Sequence, residues 1–168
     1  MKHFAIAAAA ALFAGPAFAQ GDVDLSGLQG DPAAGEEQFN RQCVACHVIV
    51  DEEGETIAGR NARTGPNQYG VAYELIGQEE DFRYSDGLLA LNEQGTRWTE
   101  EAFVAYVQDP TGWIREALDD RRARGKMSYR VRDEQEAYDL FAYLVSVGPA
   151  MEGEKLEAFE ADAAGDGS

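Results

Sequence analysis

Residues 43–47 read Cys43-Val44-Ala45-Cys46-His47, and this stretch decides how the rest of the chain is read. Two cysteines two residues apart, followed at once by histidine, form the attachment signature of a c-type haem. The spacing lets both thiols reach the vinyl groups on one side of a porphyrin and form thioethers. It also carries the adjacent imidazole beneath the iron as an axial ligand. Two other chemistries use such a cysteine pair. A redox dithiol needs a thioredoxin-like βαβ setting, which the flanking sequence does not offer. A structural zinc site needs four ligands, and the chain has two cysteines. One haem c, held covalently through Cys43 and Cys46, is the cofactor expected.

Outward from that motif, the N-terminus reads as an export signal. Lys2 and His3 give a short basic start, Phe4 to Phe13 an apolar run, and Ala17-Phe18-Ala19 an A-x-A-like cleavage site. The run is too short to span a bilayer, so residues 1–19 are expected to be cleaved after Ala19, leaving Gln20 first; an uncleaved signal anchor is the alternative. The mature protein is then expected to be soluble and periplasmic, and its length fits one domain.

Charge narrows the partners. The chain carries 31 acidic and 14 basic residues, a net charge of −17, and loss of Lys2 makes it one unit more negative. Nucleic acid and anionic lipid surfaces repel such a protein. Both cysteines are taken by the haem, so no disulfide is expected.

Losing the signal also removes His3, one of the two histidines. His47 is then the sole imidazole. Bis-histidine ligation is excluded, and so is acid–base catalysis that needs a second histidine. A single CxxCH motif means a single haem. The sixth ligand must come from elsewhere, and a methionine thioether favours ferrous iron and suits electron transfer. Met127 sits in Arg124-Gly125-Lys126-Met127-Ser128-Tyr129, a stretch without strong periodicity that reads as a ligand-bearing loop. Met151 lies beyond the last amphipathic segment and reads as a gap filler.

The remaining signals are helical. Asp31-Pro32 is an N-cap with proline at the first helical position, opening a helix to about Gln42. Thr99 caps a helix over Glu100–Gln108, stopped by Asp109-Pro110. Ala137, Leu140, Phe141 and Leu144 recur at helical spacing, so a helix is expected from about Asp133 to Val147. Shorter helical turns are expected at Gln68–Leu75 and Gly112–Leu118, and Val48–Pro66 reads as loop. No segment alternates as a half-buried strand must. The fold class expected is all-α, a small helical domain wrapped around one haem over residues 30–148. Residues 20–29 form an N-terminal extension, and residues 149–168 an acidic tail expected to be solvated and disordered.

With Cys43 to His47 near the start, Thr64-Gly65-Pro66-Asn67 after it and Lys126-Met127 late, the chain resembles class I cytochrome c, most closely the bacterial periplasmic c-550 type. The likeness covers about Gly30 to Val147. It implies a cross-over of Gly35 and Phe39 with Leu140 and Tyr143. It implies that the Pro66 carbonyl accepts from His47, fixing its tautomer. It further implies that Tyr84 and Trp98 donate to a haem propionate and that Tyr106 hydrogen-bonds near the methionine sulfur. Three positions depart from the family pattern. Glu74 stands where an arginine usually pairs with a propionate, Gly125 where a propionate-bonding threonine is common, and Tyr129 where phenylalanine is usual. Arg83 or another basic side chain is expected to compensate for Glu74.

Six of the twelve residues Arg121 to Arg132 are basic: Arg121, Arg122, Arg124, Lys126, Arg130 and Arg132. Gathered around Met127 in an acidic protein, they are expected to steer the haem edge toward an acidic partner. The function expected is that of a monomeric one-electron carrier, not an enzyme. By resemblance, its partners are the bc1 complex and a terminal oxidase, a reaction centre, or a periplasmic reductase or dehydrogenase. The alternatives are a haem subunit of, or dedicated donor to, a periplasmic oxidoreductase, and a gas-binding protein in which Met127 leaves the iron open.

Overall fold

A computed structural model describes residue 25 and residues 27–164. The expected export signal and its cleavage site lie outside these residues. Helix α1 is Pro32–Gln42, where the Asp31 carboxylate accepts from Ala33 N–H and Pro32 occupies the first turn. Helix α5 is Glu134–Val147, capped by Asp133 accepting from Glu136 N–H. These two helices cross, and Gly35 permits it. A Cβ there would stand 1.9 Å from the carbonyl oxygen of Asp139 and 2.8 Å from the Tyr143 Cβ. One turn on, the rings of Phe39 and Tyr143 meet with centroids 5.8 Å apart. Gly35 therefore approaches Asp139 and Tyr143, while Leu140 turns toward the cavity described below. The Asp139 carboxylate fastens the crossing by accepting from Asp31 N–H at 2.8 Å and from the Gln135 amide at 3.0 Å.

Between α1 and α5 lie three further helices. Ser85 caps α2 (Asp86–Glu93) and Thr99 caps α3 (Glu100–Gln108). Asp109 ends α3, and its carboxylate then accepts from Gly112 N–H to start α4 (Pro110–Ala117). Proline at the first helical position explains why α4 begins ahead of the expected Gly112. Helix α2 went unanticipated.

Two other segments differ from the sequence reading. Gln68–Leu75 is not helical, because Gly70 (φ +68°) and Tyr73 (φ +57°) take left-handed conformations. The stretch is held instead by Tyr73 N–H to Trp98 O (2.9 Å) and Trp98 N–H to Glu74 O (3.0 Å). Within the expected loop, β1 (Ile49–Val50) and β2 (Thr56–Ala58) pair antiparallel. Gly54 (φ +83°) makes the turn, and Ile49 is fully buried. This hairpin leaves the architecture predominantly helical.

The two ends also pack. Leu25 and Leu28 lie against the core, and Gln29 N–H donates to the Glu100 carboxylate at 3.0 Å. The tail corrects the expectation of disorder, for Glu154–Ala163 forms helix α6. Phe159 from α6 contacts the buried ring of Tyr73, with centroids 5.4 Å apart. Aromatic burial of this kind supplies the packing that the acidic composition concealed.

Candidate functional site

Helix α1 runs directly into the CxxCH stretch. Cys43–Ala45 forms a 3-10 turn in which Cys46 N–H and His47 N–H both donate to the Cys43 carbonyl, at 3.0 and 2.9 Å. The tight turn sets Cys43, Cys46 and His47 along one wall of a cavity. Thr64, Gly65 and Pro66 back that wall, tied to it by Gly65 N–H donating to Cys46 O at 2.8 Å. Contact is so close that a Cβ on Gly65 would stand 2.2–2.6 Å from three atoms of the imidazole.

The Nδ1 of His47 lies 2.9 Å from the carbonyl oxygen of Pro66. In the tautomer that donates this bond, the Nε2 lone pair is free for a metal. Burial pushes the imidazole pKa below its ordinary value and outweighs the opposing bond to Pro66, so the ring is in its neutral, ligating form near neutral pH. The Cys43 thiol is pushed up to about 12 by burial, aided by Cys46. Reactive CxxC dithiols show the opposite shift, so Cys43 lacks the lowered pKa of an activated thiol.

All eight residues singled out from the sequence meet here. Cys43, Cys46, His47, Pro66, Tyr84, Trp98, Tyr106 and Met127 line one cavity. Trp98 and Tyr106 form part of an aromatic wall, with centroids 4.8 Å apart, and Trp113 stacks behind Trp98 at 5.6 Å. Burial pushes Tyr84 and Tyr106 each up to about 12, so both phenols keep their protons and remain donors. Met127 is brought in by the loop between α4 and α5, followed by Ser128 and Tyr129. Met151 is half-buried against the core and does not line the cavity.

Sequence reasoning missed the apolar floor: Phe82, Leu88, Phe103, Val107, Leu140 and Leu144. The cap at Ser85 ahead of Leu88-Leu89 was the available signal for part of it. It also missed Gln68, whose Nε2 lies 3.1 Å from both Pro66 O and His47 Nδ1.

The departures from the family pattern fall outside or at the rim of the cavity. Glu74 turns to Arg97 (3.6 Å) and Lys155 (3.4 Å) and does not line the cavity. Arg83 is exposed and also absent from the lining, whereas Lys126 belongs to it and donates to the carbonyls of Arg83 and Tyr84, both at 2.7 Å. Lys126 is therefore the basic group at the cavity. Gly125 N–H donates to Thr111 Oγ1, and Tyr129 is 40 % exposed at the mouth.

The residues present fit a c-type haem. The cavity opens to solvent at its mouth. Its walls are mainly apolar and aromatic, and it gathers two thiols, one imidazole and one thioether.

Residues 32–148 match the Cytochrome c family. The chain belongs to the cytochrome c family. It is similar to cytochrome c2 of Rhodovulum adriaticum, with 56 % identity over 75 % of this chain and 97 % of that protein. Similarity to cytochrome c-550 of Paracoccus denitrificans is 37 % identity over 79 % and 84 %. The solved structure of cytochrome c2 from Rhodobacter sphaeroides superposes with a TM-score of 0.70, at 47 % identity over 73 % of this chain and 100 % of that one. This class I bacterial cytochrome carries one covalently attached haem c and works as a one-electron carrier, not as an enzyme. No helix among the described residues is long and apolar enough to cross a membrane.

Proposed function

We propose that His47 and Met127 would both hold the iron of the haem, and that the protein carries single electrons in the periplasm. The bc1 complex is the donor; a terminal oxidase, reaction centre or periplasmic reductase is the acceptor. When bound, the haem supplies a one-electron Fe(III)/Fe(II) couple. His47 contributes its Nε2 lone pair while Pro66 holds the ring, and Met127 contributes a soft sulfur that favours the ferrous state. Tyr84 and Trp98 supply donors toward the propionates and Tyr106 toward the methionine sulfur, while the apolar floor keeps water away. The single observation that carries the reading is that His47 and Met127 line the same cavity as Cys43 and Cys46. No second imidazole is available: the only other histidine, His3, lies in the expected signal.

Docking belongs to the same reading. Arg121, Arg122, Arg124, Lys126, Arg130 and Arg132 are all exposed around the loop that bears Met127, in a chain of net charge −17. Such a dipole turns the cavity mouth toward an acidic partner surface. Exposure of the reduced holoprotein to CO tests the closed site. No uptake on the time of mixing agrees with Met127 bound, and rapid uptake would point to an open, gas-binding position.

A further inference from the structure

The segment beyond the family domain does more than trail from it. Pro149 approaches Gly70, where an added Cβ would stand 3.2 Å from the proline Cδ. From α6, Lys155 donates to the carbonyl of Gly70 at 2.6 Å and pairs with Glu74 at 3.4 Å. Glu154 pairs with Arg97, whose guanidinium also donates to Tyr73 O at 3.2 Å. Arg97 in turn pairs with Glu74 at 3.6 Å. Every one of these contacts lands on Gly70–Glu74 or on Arg97 beside it.

At the centre of that stretch is Tyr73. Its φ of +57° is uncommon for any residue other than glycine, and such a conformation persists where the surroundings over-determine it. The ring is 0 % exposed, between Phe141 of α5 at 5.3 Å and Phe159 of α6 at 5.4 Å, both edge-on. The backbone of Tyr73 then donates to Trp98 O, and Trp98 is a wall of the haem cavity.

The geometry points to α6 as an intrachain strap. Phe159 and Lys155 are positioning residues that hold Tyr73 in its left-handed conformation, and through it hold Trp98 against the cavity. This role rests on the reading of that cavity as the haem site only for its effect on potential. The strap itself stands on contacts among the chain's own residues. It also gives Glu74 a purpose: at this position the carboxylate anchors Lys155 and Arg97.

The test uses the full-length holoprotein with Phe159→Ala, beside Leu156→Ala as control, since Leu156 is exposed on the same helix. A chain ending at Gly148 provides a second variant. Amide hydrogen exchange at Tyr73 and Trp98 is expected to quicken at least ~10-fold in Phe159→Ala and in the shortened chain. Amides of Phe39 in α1 and Leu144 in α5 keep their rates, because the crossing is untouched. The midpoint potential is expected to shift in Phe159→Ala and not in Leu156→Ala. Unchanged exchange at Tyr73 and Trp98, or equal quickening throughout α1 and α5, overturns the strap. If exchange quickens selectively while both potentials stay at the parent value, the link to the cavity is overturned. The identity of the axial ligands is untouched by any of these results.

Discussion

The Nδ1 of His47 lies 2.9 Å from the carbonyl oxygen of Pro66, and the amide of Gln68 lies 3.1 Å from that same oxygen. Two donors thus share one acceptor. Each bond that the carbonyl accepts weakens its pull on the other donor's proton. Removing the Gln68 amide leaves the oxygen to the imidazole alone, which makes the ring a stronger electron donor. Gln68→Ala is therefore expected to favour ferric iron and lower the midpoint potential in a potentiometric titration. A potential that rises in this variant speaks against the shared acceptor.

The crossing of α1 and α5 depends on a missing side chain. Because a Cβ on Gly35 would stand 1.9 Å from the Asp139 carbonyl oxygen, Gly35→Ala must push apart helices that also bury Phe39 and Tyr143. Overpacking of this kind costs about 1–3 kcal/mol. The denaturation midpoint of the holoprotein should fall accordingly, with the slope unchanged. An unaltered midpoint would mean that the helices have room to spare.

Glu79 gives a pH signature at a group that does not line the cavity. Burial raises its pKa above the ordinary carboxylate value, although Asn67 N–H donates to it at 2.6 Å. The folded chain thus keeps this proton over a range where the unfolded chain has lost it. The stabilisation is complete below the unfolded pKa and is lost as pH rises through the folded one. Glu79→Gln retains an acceptor for Asn67 and has no proton to lose. Relative to the parent, its stability should improve as pH rises from ~4 to ~7 in denaturant melts. A constant difference across that range would contradict the assigned shift.

Charge steering makes a kinetic prediction. Arg121 and Arg122 are exposed, and neither lines the cavity. Arg121→Gln with Arg122→Gln should slow association with an acidic redox partner and flatten its salt dependence, with the potential unaltered. Rates insensitive to both salt and substitution would exclude this face as the docking surface.

Much of the fold is legible in the chain because local rules and the global structure agree. Asp31-Pro32 and Thr99 each cap the helix their chemistry announces, and the CxxCH stretch defines its own cofactor chemistry. What escapes the sequence depends on long-range contact. Tyr73 looks like an ordinary residue in a helical turn until Phe141 and Phe159 close on it. The acidic composition of Glu154–Ala163 hides the single aromatic that docks α6. Leu140 reads equally well as helix-crossing or cavity residue, since periodicity gives the apolar face but not the neighbour. Glu74 stands in sequence where a propionate partner is expected, whereas Arg97 and Lys155 are its partners, one of them supplied by the tail.

The central claim is that Met127, together with His47, would hold the haem iron. The most direct measurement is the optical spectrum of the oxidised holoprotein, followed at the weak far-red band that reports iron–sulfur ligation by methionine. The band is expected in the parent and in Met151→Ala, and should vanish in Met127→Ala. A band that survives Met127→Ala, or is absent from the parent, would contradict the account.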